Sequence, residues 1–181
     1  MKTALLVIDV QHGLFAPNPQ PFEATEVVAR INALTDWART IEVPVVFIQH
    51  EEPGDELGYL SEGWQLQHDL EVKPSDLLVR KTTPDSFLCT ELFEHLDKRG
   101  IEHVIVCGYA TEFCVDTTTR RAAGLGYAVT LAADAHTTHD KAHASGEQIR
   151  RHHNATLPSI GSFGVKIQAL SSESIIASPV A

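Results

Sequence analysis

The chain lacks a long apolar run, a block of basic residues and enough cysteine for a disulfide framework. Its opening apolar stretch, Ala4 to Ile8, ends at Asp9 after five residues, against roughly 20 for a membrane-spanning helix. That stretch is also too short for the core of a secretory signal, so a cytoplasmic protein with no membrane partner is expected. Lys and Arg are scattered and the formal net charge is −10. Nucleic acid and anionic membrane both reward clustered positive charge, so neither is expected as a partner. The cysteines, Cys89, Cys107 and Cys114, make an odd number, so at least one thiol is free. No Gly-x-Gly-x-x-Gly and no Walker loop occurs, and no repeat or low-complexity segment is visible. No cofactor is expected.

What is present is an alternation. The 181 residues suit one domain, 1–181. Residues 4–8 form an apolar run that suits a strand buried on both faces. Residues 10–22 read as loop, and from Glu23 the residues Ala24, Val27, Val28, Ile31, Leu34 and Ala38 fall at helical spacing. Strands are predicted at 44–48, 76–79, 103–107, 127–131 and near 164–170. Helices are predicted from Asp85 or Ser86 to Gly100, from Thr111 to Leu125 and around 140–155. The stretch 50–75 is long and irregular, as binding loops often are, and the Ser-rich tail is expected to be loose. The pattern predicts an α/β fold: a three-layer, doubly wound sandwich around a mostly parallel sheet of five to six strands. Ligands in such folds sit beyond the carboxyl ends of the strands. Asp9, Gln49-His50, Lys81, residues 108–114 and Asp134 fall at those ends.

Three of these residues could do chemistry together. Cys114 lies three residues after Thr111, a candidate N-cap, which would put the thiol in the first turn of a helix. Unpaired N–H groups there favour a thiolate, lower its pKa and can hold an oxyanion. On this basis Cys114 is expected to be the most reactive of the thiols. The plain alternative is a small apolar residue in a buried turn. Asp9 closes an apolar strand, where a carboxylate needs either a partner or a loop to cap. Arg80 and Lys81 are consecutive on a strand, so they cannot face the same way, and one is expected to point to solvent and the other inward; the plain alternative is two solvated cations. A buried Asp and a buried Lys are tolerable as a pair beside a thiol.

Asp9-Val10-Gln11 after an apolar strand resembles the Asp-x-Gln opening of the isochorismatase-like cysteine hydrolases. Lys81 followed by Thr82-Thr83-Pro84-Asp85-Ser86-Phe87 is similar to that family's lysine segment. Residues Val106 to Val115, with Gly108, Thr111 and Cys114, resemble its Gly-x-x-Thr-x-x-Cys-Val nucleophile loop. Asp134-Ala135 and the His152-His153-Asn154 stretch match as well, so the resemblance covers essentially the whole chain in order. It implies an Asp9–Lys81–Cys114 triad that cleaves a C–N bond of a small molecule through a thioester. It also implies an oxyanion hole from the N–H groups of Ala110 and Cys114, and a cis peptide at Tyr109–Ala110. A homo-oligomer, dimer or tetramer, is implied too. Gln11, Phe15, Trp64, Phe87, Tyr109 and Phe113 are candidate substrate contacts; for the aromatic ones core packing is the alternative.

The resemblance also sets limits. Family members that hydrolyse a vinyl ether lack the cysteine, which is present here. The metal-assisted nicotinamidase branch carries Asp-x-His after the second strand, where this chain reads Gln49-His50-Glu51-Glu52. No metal is therefore expected, although His50, Glu51 and His68 could form an unusual site. His136, His139 and His143 are expected to be surface or loop histidines, for want of a third ligand at fixed spacing. A thiol redox protein pairing Cys107 with Cys114 is disfavoured, because Cys107 falls inside an apolar strand. A lapsed binding module would have no need of a buried Asp–Lys pair.

Overall fold

The computed structural model describes residues 1–54 and 56–178; Asp55, in the long loop, and 179–181, in the tail, lie outside the described residues. The strands are β1 (Thr3–Ile8), β2 (Val45–His50), β3 (Leu77–Lys81), β4 (His103–Tyr109), β5 (Ala128–Thr137) and β6 (Ile167–Leu170). They form one six-stranded sheet in the order β3-β2-β1-β4-β5-β6. Every neighbouring pair is parallel. All six residues of β1 are buried, as a central strand covered on both faces requires. The helices are α1 (His12–Phe15), α2 (Ala24–Thr40), α3 (Leu92–Asp97), α4 (Asp116–Gly124), α5 (Gly146–Thr156) and α6 (Ser172–Ala177). A π-helical turn, Thr111–Val115, leads into α4.

Alternation along the strands divides the core. Leu6, Ile8, Val46, Val79 and Val104 pack beneath Leu92 and Leu96 of α3 and Ala122 and Ala123 of α4. Leu5, Val7, Phe47 and Ile105 point the other way, beneath Val27, Ile31 and Leu34 of α2 and Ile175 of α6. Together these make three layers.

The order reverses between β1 and β4, which opens the crevice where such sheets bind ligands. One glycine lets those two strands close up at that point. Gly108 pairs in register with Ile8 and has φ +115. A Cβ there would lie 2.1 Å from the Ile8 carbonyl oxygen, so no other residue fits without moving the backbone. Among the described residues no helix is long and apolar enough to cross a membrane.

Several local expectations are corrected. The helix expected from Asp85 or Ser86 begins only at Leu92. The Asp85 carboxylate accepts from Phe87 N–H at 2.8 Å, and the Ser86 hydroxyl bonds Thr118 Oγ1 at 2.8 Å. Both side chains thus stabilise a turn, and Leu88 is left exposed. The helix around 140–155 starts at Gly146, behind a capping box of Ser145 and Gln148. The supposed loop 10–22 contains α1. Within the tail, Ser172–Ala177 is helical: the Asp134 carboxylate accepts from Ser172 N–H at 2.7 Å and from its hydroxyl at 2.9 Å. Asp134 therefore lies within β5 and anchors α6.

Candidate active site

Asp9 leaves β1 in the left-handed region, φ 50, which Asp tolerates better than most residues. Its side chain is 2% exposed, and Oδ2 receives the Lys81 ammonium at 2.7 Å. Lys81 reaches it from β3, two strands away, with its side chain fully buried. Arg80 takes the opposite face, where Nε donates to Glu51 Oε2 at 2.8 Å and the guanidinium covers the Tyr59 ring. A buried ion pair is a poor source of stability, because desolvating both charges offsets most of their attraction. Lys81 Nζ also lies 3.2 Å from Cys114 Sγ, 3.2 Å from His50 Nδ1 and 3.1 Å from Thr83 O. Asp9, Lys81 and Cys114 are thus gathered around one ammonium.

Cys114 sits in the π-helical turn, not in the first turn of a regular helix. Thr111 makes no capping bond; Ala110 precedes the turn, and its carbonyl accepts from Phe113 and Val115 at 3.0 and 3.1 Å. The expected depression of the thiol pKa is overturned. Burial, and then the negative charge of Asp9, push Cys114 up to about 12 against the pull of Lys81. At neutral pH the resting group is a thiol. The carboxylate beside that thiol is Asp9. Cys107 is fully buried, and burial pushes its thiol higher still. Cys89 is exposed.

The turn is braced from β5. Thr111 Oγ1 bonds His136 Nδ1 at 2.9 Å, His136 Nε2 bonds Asn154 Oδ1 at 2.9 Å, and Asn154 Nδ2 donates to Ala133 O at 2.8 Å. His136 is fully buried, not a surface or loop residue. Burial lowers it to about 4, so the ring is neutral and carries its proton on Nε2, toward the Asn154 carbonyl. His139 bonds the Tyr109 hydroxyl at 2.8 Å, and His143 is exposed on a loop. The Tyr109–Ala110 peptide is cis.

The candidate substrate contacts divide. Tyr109 is half-buried next to the turn, and Phe113, 53% exposed, lies under the Lys141 ammonium. Phe15 and Phe87 sit in the core: Phe15 packs with the α2 layer and edge-on to Tyr109, and Phe87 stacks on Tyr127, which precedes β5 at the amino edge. Trp64 is buried with its ring edge-on to Tyr59. Gln11 is buried, and its amide bonds the main chain. It accepts from His50 N–H at 2.8 Å and donates to His50 O and Trp64 O, both at 2.9 Å. The three residues weighed as an unusual metal site go separate ways: His50 meets Lys81, Glu51 pairs with Arg80 and His68 stacks on His12. Among the described residues no group of three or more His, Cys, Asp or Glu is placed to hold a metal ion.

A profile of the isochorismatase domain matches residues 3–157. The chain belongs to the isochorismatase family. A streptothricin hydrolase of Streptomyces noursei is 39% identical over 138 residues, which cover 76% of this chain and 50% of that protein. A second streptothricin hydrolase from the same species is spanned over 57% of its length, so the family member described here matches only about half of each. Nicotinamidase 3 of Arabidopsis thaliana is 32% identical over 152 residues, 75% of this chain and 73% of its own. Among solved structures, an isochorismatase family protein superposes with a TM-score of 0.85 at 36% identity, covering 94% of this chain and 98% of that one.

Proposed function

We propose that this isochorismatase-family protein is a cysteine hydrolase that cleaves a C–N bond of a small amide or ureide. The observation that carries the reading is the single ammonium of Lys81, 2.7 Å from Asp9 Oδ2 and 3.2 Å from Cys114 Sγ. Relatives named streptothricin hydrolase and nicotinamidase support hydrolysis, and the second name specifies an amide substrate.

The mechanism follows from the proton inventory. Asp9 takes the Cys114 proton as the sulfur attacks the carbonyl carbon, while Lys81 stabilises the thiolate. The N–H groups of Ala110 and Cys114 hold the oxyanion. The C–N bond breaks as Asp9 returns the proton to the leaving nitrogen, and a thioester remains on Cys114. Water, giving a proton to Asp9, attacks the thioester and releases the acid, and that proton restores the thiol.

The test is a panel of small amides and ureides assayed for ammonia release. Wild-type protein should turn over at least one member. Cys114→Ala, and protein alkylated on Cys114, should lose about 10⁴-fold or more, since removing the nucleophile leaves only binding and oxyanion stabilisation. Equal turnover by Cys114→Ala and wild type would remove the reading.

A further inference from the structure

The Lys81 ammonium has three hydrogens and four acceptors within reach: Asp9 Oδ2, Cys114 Sγ, His50 Nδ1 and Thr83 O. We propose that His50 is a positioning residue of this site, whose Nδ1 holds the Lys81 ammonium aimed at Asp9 and Cys114. The inference rests on the cysteine-hydrolase reading and adds to it a group that the Asp–Lys–Cys set does not contain.

Three observations carry it. His50 ends β2, the strand between β1 and β3, so its ring lies where Lys81 must cross to reach Asp9. Its main chain is held on both sides by one buried side chain: Gln11 Oε1 takes the His50 N–H at 2.8 Å and Gln11 Nε2 donates to the His50 carbonyl at 2.9 Å. Burying an amide to fix a strand end in this way makes the imidazole's position specific. The ring is also in the state the role requires. Burial first, then Lys81, lower its pKa, outweighing the opposite pull of Asp9, Glu52 and Glu51. A neutral ring facing an ammonium accepts on Nδ1 and carries its own proton on Nε2.

The consequence lies in how the ammonium is used. Thr83 O and His50 Nδ1 occupy two hydrogens and fix the rotation of the group. The third hydrogen then points between Asp9 Oδ2 and Cys114 Sγ, the atoms between which the thiol proton passes. The spacing of Asp9 and Gln11 thereby acquires a physical basis: one residue supplies the carboxylate, and two positions on another locks the histidine that orients its cation.

The test needs no substrate. Iodoacetamide alkylation of Cys114 at pH 9 is followed by mass spectrometry. Exposed Cys89 is the internal reference, and buried Cys107, unlabelled while the protein is folded, reports unfolding. His50→Leu should slow Cys114 relative to Cys89 by about 10- to 100-fold, the range for losing a hydrogen bond to a charged group. His50→Asn, whose Oδ1 replaces Nδ1 as acceptor, should stay within about threefold of wild type on the same basis. His50→Ala serves in place of His50→Leu if labelling of Cys107 shows that the latter is unfolded. Unchanged alkylation in His50→Leu, or equal slowing by Leu and Asn, would overturn the inference. Lys81→Met separates the two levels. Slowing there with none in His50→Leu refutes His50 alone, and no slowing in Lys81→Met overturns the cation's role and His50 with it.

Discussion

Around Cys114 the buried polar groups include an Asp–Lys ion pair, and one carboxylate oxygen, Asp9 Oδ1, has no hydrogen-bond partner among the described residues. The chain of groups from Thr111, three positions earlier, is neutral and joined: hydroxyl to imidazole, imidazole to amide, amide to main chain. Both clusters lie toward the carboxyl edge of the same sheet. Their difference is one of spare capacity. A fully paired neutral network holds a shape, because every member loses a partner if it moves. A charged cluster with an unfilled oxygen has capacity left for a proton or a substrate group. The π-helical turn 111–115 joins the two, so the neutral cluster braces the turn that carries Cys114.

The sharpest way to break this contrast is Asp9→Asn. An amide keeps the shape but can neither remove the thiol proton nor return one to a leaving nitrogen. Turnover of an amide that wild type hydrolyses should fall by about 10²–10⁴, the usual contribution of a general acid–base group. Thermal unfolding must be measured separately, because Lys81 also loses its counter-charge. A folded variant with near wild-type turnover would make Asp9 structural and erase the distinction.

On the other side of the comparison, His136→Leu should act on stability more than on chemistry. It strands the Thr111 hydroxyl and the Asn154 carbonyl in the interior, at about 1–3 kcal/mol for each unpaired group. Urea unfolding should show that loss, with the rate of the folded fraction reduced far less than by Asp9→Asn. A variant of full stability with its rate abolished would move His136 into the chemistry.

The smallest expected effect, read per pH unit, is in the pH dependence of stability. Burial lowers His136 from an ordinary 6.5 to about 4. Between those values the unfolded chain binds a proton there and the folded chain does not, so acidification favours unfolding. The contribution is present above pH 6.5 and is lost as pH falls toward 4, at up to about 1.4 kcal/mol per pH unit. Carboxylates titrate in the same window. The measurement is therefore the difference between wild type and His136→Gln, whose slope should be shallower; equal slopes would show that His136 is not held neutral.

Much of the fold was legible in the residues. The apolar runs and the 3.6-residue spacing of α2 are local signals, and the strand–helix alternation leaves few topologies open. The site's outline was legible for a related reason: in a parallel sheet, strand-end residues meet at one edge wherever they lie in the chain. Opposed facing of Arg80 and Lys81 follows from the two-residue period of a strand. Asp85 and Ser86 misled because the groups that cap a helix also close a turn, and their contacts with Phe87 and Thr118 decide which.

Sequence by itself therefore determined the alternation of elements, the residues at the strand ends and the opposed facing of Arg80 and Lys81, all of which depend on neighbours a few positions away. Only the tertiary structure decided that Gln11 clamps His50, that His136 is buried and neutral, and that Phe15 and Phe87 belong to the core. It also decided the protonation of Cys114. A helix start favours a thiolate, but burial and the charge of Asp9, more than 100 positions away in the chain, outweigh it. Desolvation and Coulomb interaction depend on distance through space, and no local spacing encodes them.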